Sequence, residues 1–267
     1  MNFTLTVMGT ASAMPISDRN PSAQMLNVHG RLFLIDCAEG TQQQIRKCRL
    51  SFLKIEAVFI SHIHGDHVFG IFGLLSTMAM YSRTAPLHIY APNSFAPILK
   101  FFLSYYGDEI NYEIIHHPLK MKAPETVHIS KNVSVSAFPL KHKIECFGFR
   151  FDEIVPQRRP QNTPFKAHSY AYCSDTIPFP ELSEWVKGVD LLYHEATYPA
   201  SFADKAGQRF HSTTVDAANC ALKAGAGKLI VGHYSSRIRD CEIFQNECRG
   251  IFAESYAAQD GDVFEID

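Results

Sequence analysis

A short apolar strand that runs directly into metal-binding residue types constrains this chain more than any other part of its sequence. Residues 56–61 (Glu-Ala-Val-Phe-Ile-Ser) predict a buried strand, and residues 62–67 then read His-Ile-His-Gly-Asp-His. Because the strand ends there, these polar side chains are expected at the rim of a sheet. A His-rich surface loop is the alternative, but four ligand-type residues within six positions favour a metal site.

The spacing inside this segment suits two metal ions. His62 and His64 are two positions apart, so in an extended chain they face the same way and can bind one ion. Gly65 permits a tight turn that would aim Asp66 and His67 towards a second ion. Imidazole and carboxylate groups suit first-row metals, and two ions about 3.5–4 Å apart suit hydrolytic chemistry.

Three further ligand-type residues follow apolar strands elsewhere in the chain. His142 comes after a strand that ends near residue 140, Asp175 follows residues 171–174, and His233 follows residues 229–232. Each of them alone could be an ordinary turn or capping residue. Their shared placement predicts that they complete one site at one end of a β-sandwich.

Composition and charge limit the class of protein. The chain has 267 residues, 46% hydrophobic and 19% charged, and no linker rich in Gly, Ser or Pro divides it. We therefore expect a single domain over residues 1–267. The net charge is −2, whereas proteins that depend on nucleic-acid backbone contacts usually show a basic excess. Any nucleic-acid role must then depend on a local patch or on a site that acts chemically on phosphate.

Cysteine and apolar patterns predict a reducing compartment, the cytoplasm, and no membrane partner. The seven cysteines are scattered without Cys-x-x-Cys spacing, which argues against a disulfide framework and a thiolate zinc finger. The N-terminus lacks the basic lead and apolar core of a signal peptide. The longest uncharged apolar stretch, residues 68–81, is shorter than the roughly 20 residues that a membrane helix needs.

The remaining pattern predicts strands mixed with helices in two similar halves. A helix is expected over residues 213–224, with a capping-box start at Thr213 to Asp216 and a stop at Gly225. A final helix is expected over residues 240–256, and residues 155–168 form an irregular loop with three prolines. Such an order favours a sheet-on-sheet core with helices outside.

Motifs along nearly the whole chain resemble the metallo-β-lactamase superfamily, and specifically its ribonuclease Z branch, the tRNA 3′-end-processing endonucleases. The His-x-His-x-Asp-His motif is shared by the superfamily, whereas His194-Glu-Ala-Thr197 and His211-Ser-Thr213 are more specific to this branch. The other landmarks are Gly9-Thr10, Arg19-Asn20, residues 35–42, residues 70–75, Ser174-Asp-Thr176 and residues 232–237.

The resemblance implies an α/β protein with the αββα four-layer sandwich, usually dimeric, and zinc at both metal sites, with manganese as an alternative. It assigns His62, His64 and His142 to one zinc ion, Asp66, His67 and His233 to the other, and Asp175 to a bridge between them. Two zinc ions would lower the pKa of a water molecule enough for attack on phosphorus near neutral pH.

Further residues receive roles around this centre. Asp66 is the expected proton acceptor as well as a ligand, and Asp36 is expected to bond the free N–H of a ligand histidine. His211 precedes a helix, whose dipole disfavours protonation, while Glu195 would oppose that effect and orient the ring. We expect His211 to contact the phosphate or to donate to the leaving oxygen. Alternatively, Glu195 and His211 only tie two loops together.

One departure from the family concerns a protruding arm that grips the tRNA elbow. The arm usually lies between the equivalents of His142 and Asp175, which are only 33 positions apart here, so we expect it to be missing. The Pro-broken loop that remains contains Arg158, Arg159 and Lys166. These cations are candidate phosphate contacts, or they are simply solvated.

The sequence thus predicts a zinc-dependent phosphodiesterase that removes 3′ extensions from precursor tRNA, acting as a homodimer. The first alternative is a hydrolase of a small ester, lactone or thioester on the same fold, which the missing arm favours and the two branch-specific motifs disfavour. The second is a binding protein on a scaffold that has lost catalysis, which the complete ligand set disfavours.

Overall fold

The computed structural model describes residues 3–155 and 166–266. Within these ranges the strands, in chain order, are β1 Phe3–Gly9, β2 Ala23–Val28, β3 Arg31–Cys37, β4 Ile55–Phe59, β5 Leu87–Pro92, β6 Ile114–Leu119, β7 Glu125–Ile129, β8 Val133–Leu140, β9 Cys146–Glu153, β10 Ser169–Cys173, β11 Leu191–Glu195, β12 Lys228–Gly232, β13 Ser255–Ala257 and β14 Val263–Glu265. The α-helices are α1 Thr41–Lys47, α2 Gly65–Val68, α3 Ile71–Met80, α4 Phe95–Tyr106, α5 Pro180–Trp185, α6 Ala203–Arg209, α7 Thr214–Ala224 and α8 Glu242–Arg249. None of these helices has the length and apolar character needed to cross a membrane.

The described strands form two seven-stranded sheets of similar design. The first has the order β14-β1-β2-β3-β4-β5-β6, and the second has the order β13-β12-β11-β10-β9-β8-β7. Neighbours from β3 to β6 and from β10 to β13 pair parallel, and the other neighbours pair antiparallel. Each half of the chain therefore builds most of one sheet.

Alternating side chains divide the core into layers. Phe59 of the first sheet packs edge-on against Phe149 and Phe151 of the second, at ring distances of 5.3 and 5.2 Å. The opposite face of the first sheet packs against α1, α3 and α4, and that of the second against α5, α7 and α8. This arrangement confirms the predicted αββα sandwich.

The strands that precede the predicted ligands end at one edge of the sandwich. β10, β11 and β12 run parallel, and β8 runs the same way because both β8 and β10 are antiparallel to β9. His142 and Asp175 therefore emerge at the same edge as His233. A hydrogen bond of 3.0 Å from Phe147 N–H to the Ser61 carbonyl joins the end of β4 to this edge.

β9 ends and β10 begins at the edge of the sheet opposite to His142 and Asp175. β9 leaves the metal-binding edge and has eight residues, which span about 26 Å, before β10 returns. Lys166 pairs there with Asp190, at 2.8 Å from Nζ to Oδ1, while Arg158 and Arg159 lie outside the described residues. Any phosphate that Lys166 contacts is therefore remote from the metal-binding edge of the same chain.

The two helices predicted near the C-terminus have different outcomes. The helix that begins at the Thr213 capping box is confirmed, with reciprocal bonds between Thr213 and Asp216 and with Gly225 at φ 63°. The final helix is shorter than predicted, because α8 ends at Arg249 and residues 255–257 form β13. β13 adds a parallel strand next to β12, and these sheet hydrogen bonds outweigh local helix preference.

Candidate metal centre

The structure brings the seven predicted ligand residues together. Two groups have ligand atoms that all lie within 4.8 Å of one another, namely His62, His64, His142 and Asp175, and Asp66, His67 and His233. A third such group consists of Asp175, His211 and His233. The first two groups coincide with the two metal sites that the family resemblance implies.

Asp175 lies between the two groups and faces both. Its Oδ2 is 3.6 Å from His62 Nε2 and 3.7 Å from His142 Nε2. Its Oδ1 is 3.5 Å from His67 Nε2 and 3.3 Å from His233 Nε2. Because each oxygen addresses a different group, the carboxylate is placed as a bridging ligand would be.

Buried acceptors outside the centre bind the Nδ1 atoms of two histidines. Asp36 Oδ2 lies 2.8 Å from His67 Nδ1, the type of contact expected for Asp36. Ser61 Oγ donates to Asp36 at 2.9 Å and can therefore accept from His62 Nδ1 at 3.0 Å. These bonds place the imidazole protons on Nδ1 and leave the Nε2 lone pairs directed towards the centre.

Two other anchors were missed in the sequence. His142 Nδ1 donates to the Phe210 carbonyl at 2.9 Å. Thr197 Oγ1 donates to Glu195 Oε2 and accepts from His233 Nδ1, both at 2.9 Å. Thr197 belongs to the His-Glu-Ala-Thr segment, so that motif was the available signal. No side-chain pattern could reveal a backbone carbonyl such as that of Phe210.

The donor set fits divalent metal ions. His67 Nε2 and His233 Nε2 lie 3.2 Å apart, and the Nδ1 atoms of the two rings are bound to Asp36 and Thr197, so both Nε2 atoms are available to one cation. Asp175 Oδ1 is buried and has no hydrogen-bond partner among the described residues, as expected of an atom reserved for a metal. Imidazole and carboxylate are ligands for zinc and manganese.

Burial and charge favour the metal-binding forms of four ligands, whereas Asp175, Asp36 and Asp66 outweigh burial and raise the pKa of His67 to about 10, so a metal ion would displace its proton. Burial lowers the pKa of three imidazoles and so favours their neutral state: His62, His64 and His142. Burial alone would raise the pKa of Asp66, but His67 and His233 hold that pKa well below its ordinary value. The backbone N–H of Ala13 also donates to Asp66 Oδ2 at 2.6 Å. Asp66 is therefore an ionised carboxylate.

Two residues of the site have left-handed backbone conformations. Asp36 has φ 53° and His233 has φ 64°. For residues other than glycine this region costs about 1–2 kcal/mol. The surrounding structure offsets that cost, and strain of this kind is typical of functional sites, where the chain must turn sharply to aim a side chain.

Glu195 and His211 lie beside the two ligand groups. Glu195 Oε1 is 3.1 Å from His211 Nδ1 and accepts from Ser212 N–H at 2.9 Å. Its Oε2 accepts from the backbone N–H and the hydroxyl of Thr197, both at 2.9 Å. The carboxylate is completely buried, so these bonds fix the orientation of the His211 ring.

The opposing influences expected on His211 are resolved in favour of Glu195. Burial lowers the pKa of His211, but Glu195 and Asp175 outweigh it and raise this pKa to about 9. Burial raises the pKa of Glu195, but His211 and then His233 lower it to about 2. The Glu195 carboxylate and the His211 imidazolium therefore stabilise each other.

A cavity of about 540 Å³ opens at this edge. Its wall includes Asp66, His142, Asp175 and His211. The volume is within the range of small-ligand sites and admits a nucleotide-sized group. Ligand atoms and the imidazolium of His211 are thus exposed to the same space.

Comparison with known proteins identifies the family. The sequence profile of a family described as Anti-Pycsar protein Apyc1 matches residues 3–251. Ribonuclease Z of Bacteroides thetaiotaomicron is 35% identical to this chain, and the alignment covers 97% of this chain and 93% of the relative. The chain belongs to both the ribonuclease Z and the Apyc1 families.

Solved structures share the ribonuclease Z fold. The short form of human tRNase Z is 28% identical, with a TM-score of 0.83 and 99% of both chains covered. The metallo-β-lactamase fold protein YhfI from Bacillus subtilis is 20% identical, with a TM-score of 0.77, 99% of this chain covered and 100% of the other. The αββα sandwich of this chain is thus the metallo-β-lactamase fold.

The Bacteroides relative contains positions that this chain lacks. The alignment with the Bacteroides protein extends over 299 positions, whereas this chain has 267 residues. In this chain β9 and β10 pair directly, and only residues 154–168 connect them. The absence of the arm stays a prediction.

Proposed function

We propose that this protein is a metal-dependent endoribonuclease that removes 3′ extensions from precursor tRNA. The main supporting observation is that a set of ligands for two metal ions lies in the same cavity as the buried Glu195–His211 pair. The donor set suits many ester hydrolyses, whereas an imidazolium adds a proton donor for a poor leaving group such as a ribose oxygen. Relatives named ribonuclease Z and tRNase Z support this choice of substrate.

Two zinc ions per subunit are the proposed cofactors, with manganese as the alternative. The first ion would be held by His62, His64 and His142, the second by Asp66, His67 and His233, and both by Asp175. When bound, the ions would lower the pKa of a water molecule and offset negative charge on the phosphoryl oxygens.

The remaining steps fall to side chains of the protein. Asp66 accepts a hydrogen bond from the attacking water and orients it; because a carboxylate of such low pKa is a weak base, the proton of that water passes on to solvent. His211 donates a proton from Nε2 to the leaving oxygen, because its Nδ1 is bound to Glu195. Glu195 stabilises the imidazolium, and Thr197 connects this pair to His233.

The direct test is incubation of zinc-loaded protein with a 3′-extended precursor tRNA, followed by mapping of the product end. We expect cleavage at the boundary of the mature tRNA, and none by the Asp66→Ala variant. Cleavage at scattered positions, or no cleavage by protein that still hydrolyses small phosphodiesters, would contradict the tRNA assignment.

Hydrolysis of a small ester, lactone or thioester is the alternative on this fold. The similarity to ribonuclease Z over nearly the full chain disfavours it. The presence of every ligand likewise disfavours a binding protein without catalysis. Turnover of a lactone and of a chromogenic phosphodiester by one preparation would separate the alternatives, and we expect only the phosphodiester to react.

The short β9–β10 connection predicts weak binding of precursor tRNA. Phosphate contacts remote from the reacting bond supply much of nucleic-acid affinity, and this chain has a net charge of −2. We expect ordinary turnover of small diesters but a high KM for precursor tRNA that rises further with salt. Tight, salt-insensitive binding by the wild-type protein would contradict this prediction.

The triple variant Arg158→Ala, Arg159→Ala, Lys166→Ala tests whether this loop replaces the arm. A higher KM for precursor tRNA, with unchanged turnover of a small diester, would identify the loop as a remote phosphate contact. An unchanged KM would exclude the loop and assign the contacts to another surface, such as that of a partner subunit.

Homodimerisation is proposed to use the outer face of α4. Phe101, Tyr105 and Tyr106 are 66%, 71% and 58% exposed, and the rings of Phe101 and Tyr105 lie 5.1 Å apart. Exposed aromatic clusters of this type mark interaction surfaces. We expect sedimentation analysis to show a dimer that Phe101→Asp with Tyr105→Asp converts to a monomer. A monomeric wild-type protein would contradict the proposal.

A cytoplasmic location is proposed from the thiols. All seven cysteines are unpaired, and four of them are buried: Cys37, Cys146, Cys173 and Cys248. Free buried thiols fit a reducing compartment, in which disulfides are rare.

A further inference from the structure

A cluster of cations surrounds the cavity of the metal centre. Lys143 follows β8, Lys205 and Arg209 lie on α6, and Arg237 lies in the loop after β12. These four residues are called the cationic rim. Because they come from three separate segments, their convergence on one opening is a property of the fold and not of a local charge run.

Among the described residues, no carboxylate forms an ion pair with the cationic rim. Among the described residues, none of its four side chains has an Asp or Glu oxygen within 4 Å. The carboxylates in the cavity wall are Asp66 and Asp175, which are assigned to the metal ions. Four positive charges therefore face the opening without neutralisation, although the whole chain has a net charge of −2.

Packing places one of these cations, Lys205, against a ring that neighbours His211. Lys205 Nζ lies 5.4 Å from the centre of the Tyr198 ring, and that ring lies 6.3 Å from the His211 ring. Arg209 and Arg237 act electrostatically on the Tyr198 hydroxyl as well. Lys205 Nζ is thus no more than about 12 Å from the centre of the His211 ring.

We propose that the cationic rim binds the phosphates next to the scissile phosphate, so that the site selects a nucleic-acid strand over an isolated phosphodiester. This inference rests on the proposed function and specifies its substrate recognition. A concave site lined by one sign of charge concentrates anions of opposite charge. Ordinary surface cations are the opposing explanation, since exposed charges often contribute nothing measurable.

The test compares two double variants that remove the same charge. Lys205→Gln with Arg209→Gln alters the cationic rim, and Lys131→Gln with Lys187→Gln alters exposed cations at the opposite edge of the second sheet. The substrates are a single-stranded oligoribonucleotide and bis(p-nitrophenyl) phosphate. Binding of a fluorescent, phosphorothioate-linked strand to the zinc-loaded proteins is measured by anisotropy at several salt concentrations.

We expect the rim variant to raise the KM for the oligoribonucleotide without changing kcat for bis(p-nitrophenyl) phosphate by more than about twofold. Loss of two phosphate contacts should reduce the slope of log affinity against log salt by about 1.4, since each contact to a single strand contributes about 0.7. The control variant should keep the wild-type slope. The charge-retaining pair Lys205→Arg with Arg209→Lys should restore it.

Equal slopes in the rim and control variants would overturn the inference. A parallel loss of bis(p-nitrophenyl) phosphate turnover in the rim variant would also overturn it, because the residues would then support the centre itself. If the salt slopes are as expected but precursor tRNA is not cleaved, the proposed tRNA function is wrong. The inferred recognition of a nucleic-acid strand would still be supported.

Discussion

Replacing Asp175 with alanine should remove metal from both halves of the centre and lower phosphodiester turnover by at least about 1000-fold. Its two oxygens face different groups, at 3.6 Å from His62 and 3.3 Å from His233. Loss of a residue that only orients a ligand typically costs about 10–100-fold, and loss of a bridging ligand should cost more. Metal content by mass spectrometry and turnover of bis(p-nitrophenyl) phosphate would be measured on the same samples.

A matched control for Asp175→Ala is Asp152→Ala. Asp152 lies near the end of β9 at the opposite edge and bonds Arg150 on the surface. We expect this control to keep its metal content and turnover. If Asp175→Ala kept two metal ions per chain, the bridging assignment would be wrong.

Replacing His211 with alanine should lower kcat for RNA by about 100–1000-fold while the metal content stays unchanged. Glu195 and Asp175 keep its imidazole protonated at neutral pH, and its bonds to Glu195 place it beside the metal ligands. A p-nitrophenolate leaves without a proton donor, so bis(p-nitrophenyl) phosphate should lose much less. Equal losses on both substrates would show that His211 contacts the phosphoryl group and is not the donor.

The pH dependence of RNA cleavage tests the role of Glu195 in the same pair. Glu195 raises the pKa of His211, so the donor is protonated at low pH and is lost as pH rises through this raised pKa. Glu195→Gln removes the main cause of the raised pKa of His211. The pH at which kcat falls on the alkaline side should therefore be lower in this variant. An unchanged limit with unchanged metal content would show that Glu195 and His211 only tie two loops together.

Local sequence predicted which side chains come together at this edge, because their positions depend on where strands end. His62, His142, Asp175 and His233 each follow an apolar strand, and the parallel order of β10 to β12 places Asp175 and His233 at one edge. The chain path that brings β8 to the same edge depends on pairing through β9, which no local pattern specifies.

Groups that act through tertiary contacts were harder to predict. Thr197 orients His233 with a hydroxyl, and Phe210 orients His142 with a carbonyl, and neither group resembles a metal ligand. The charge of His211 depended on how close Glu195 lies, since the dipole and the carboxylate act in opposite directions. The final helix was predicted too long because β13 gains its stability from pairing with β12.

Anomalous X-ray diffraction at the zinc edge, on crystals of the zinc-loaded protein, would reveal directly whether these side chains form a two-metal centre. We predict two peaks per chain about 3.5–4 Å apart, the separation typical of two-metal hydrolases. One peak should lie among the imidazoles of His62, His64 and His142, and the other beside His67 and His233, with Asp175 touching both. A single peak, or peaks away from Asp175, would contradict a two-metal centre at this edge.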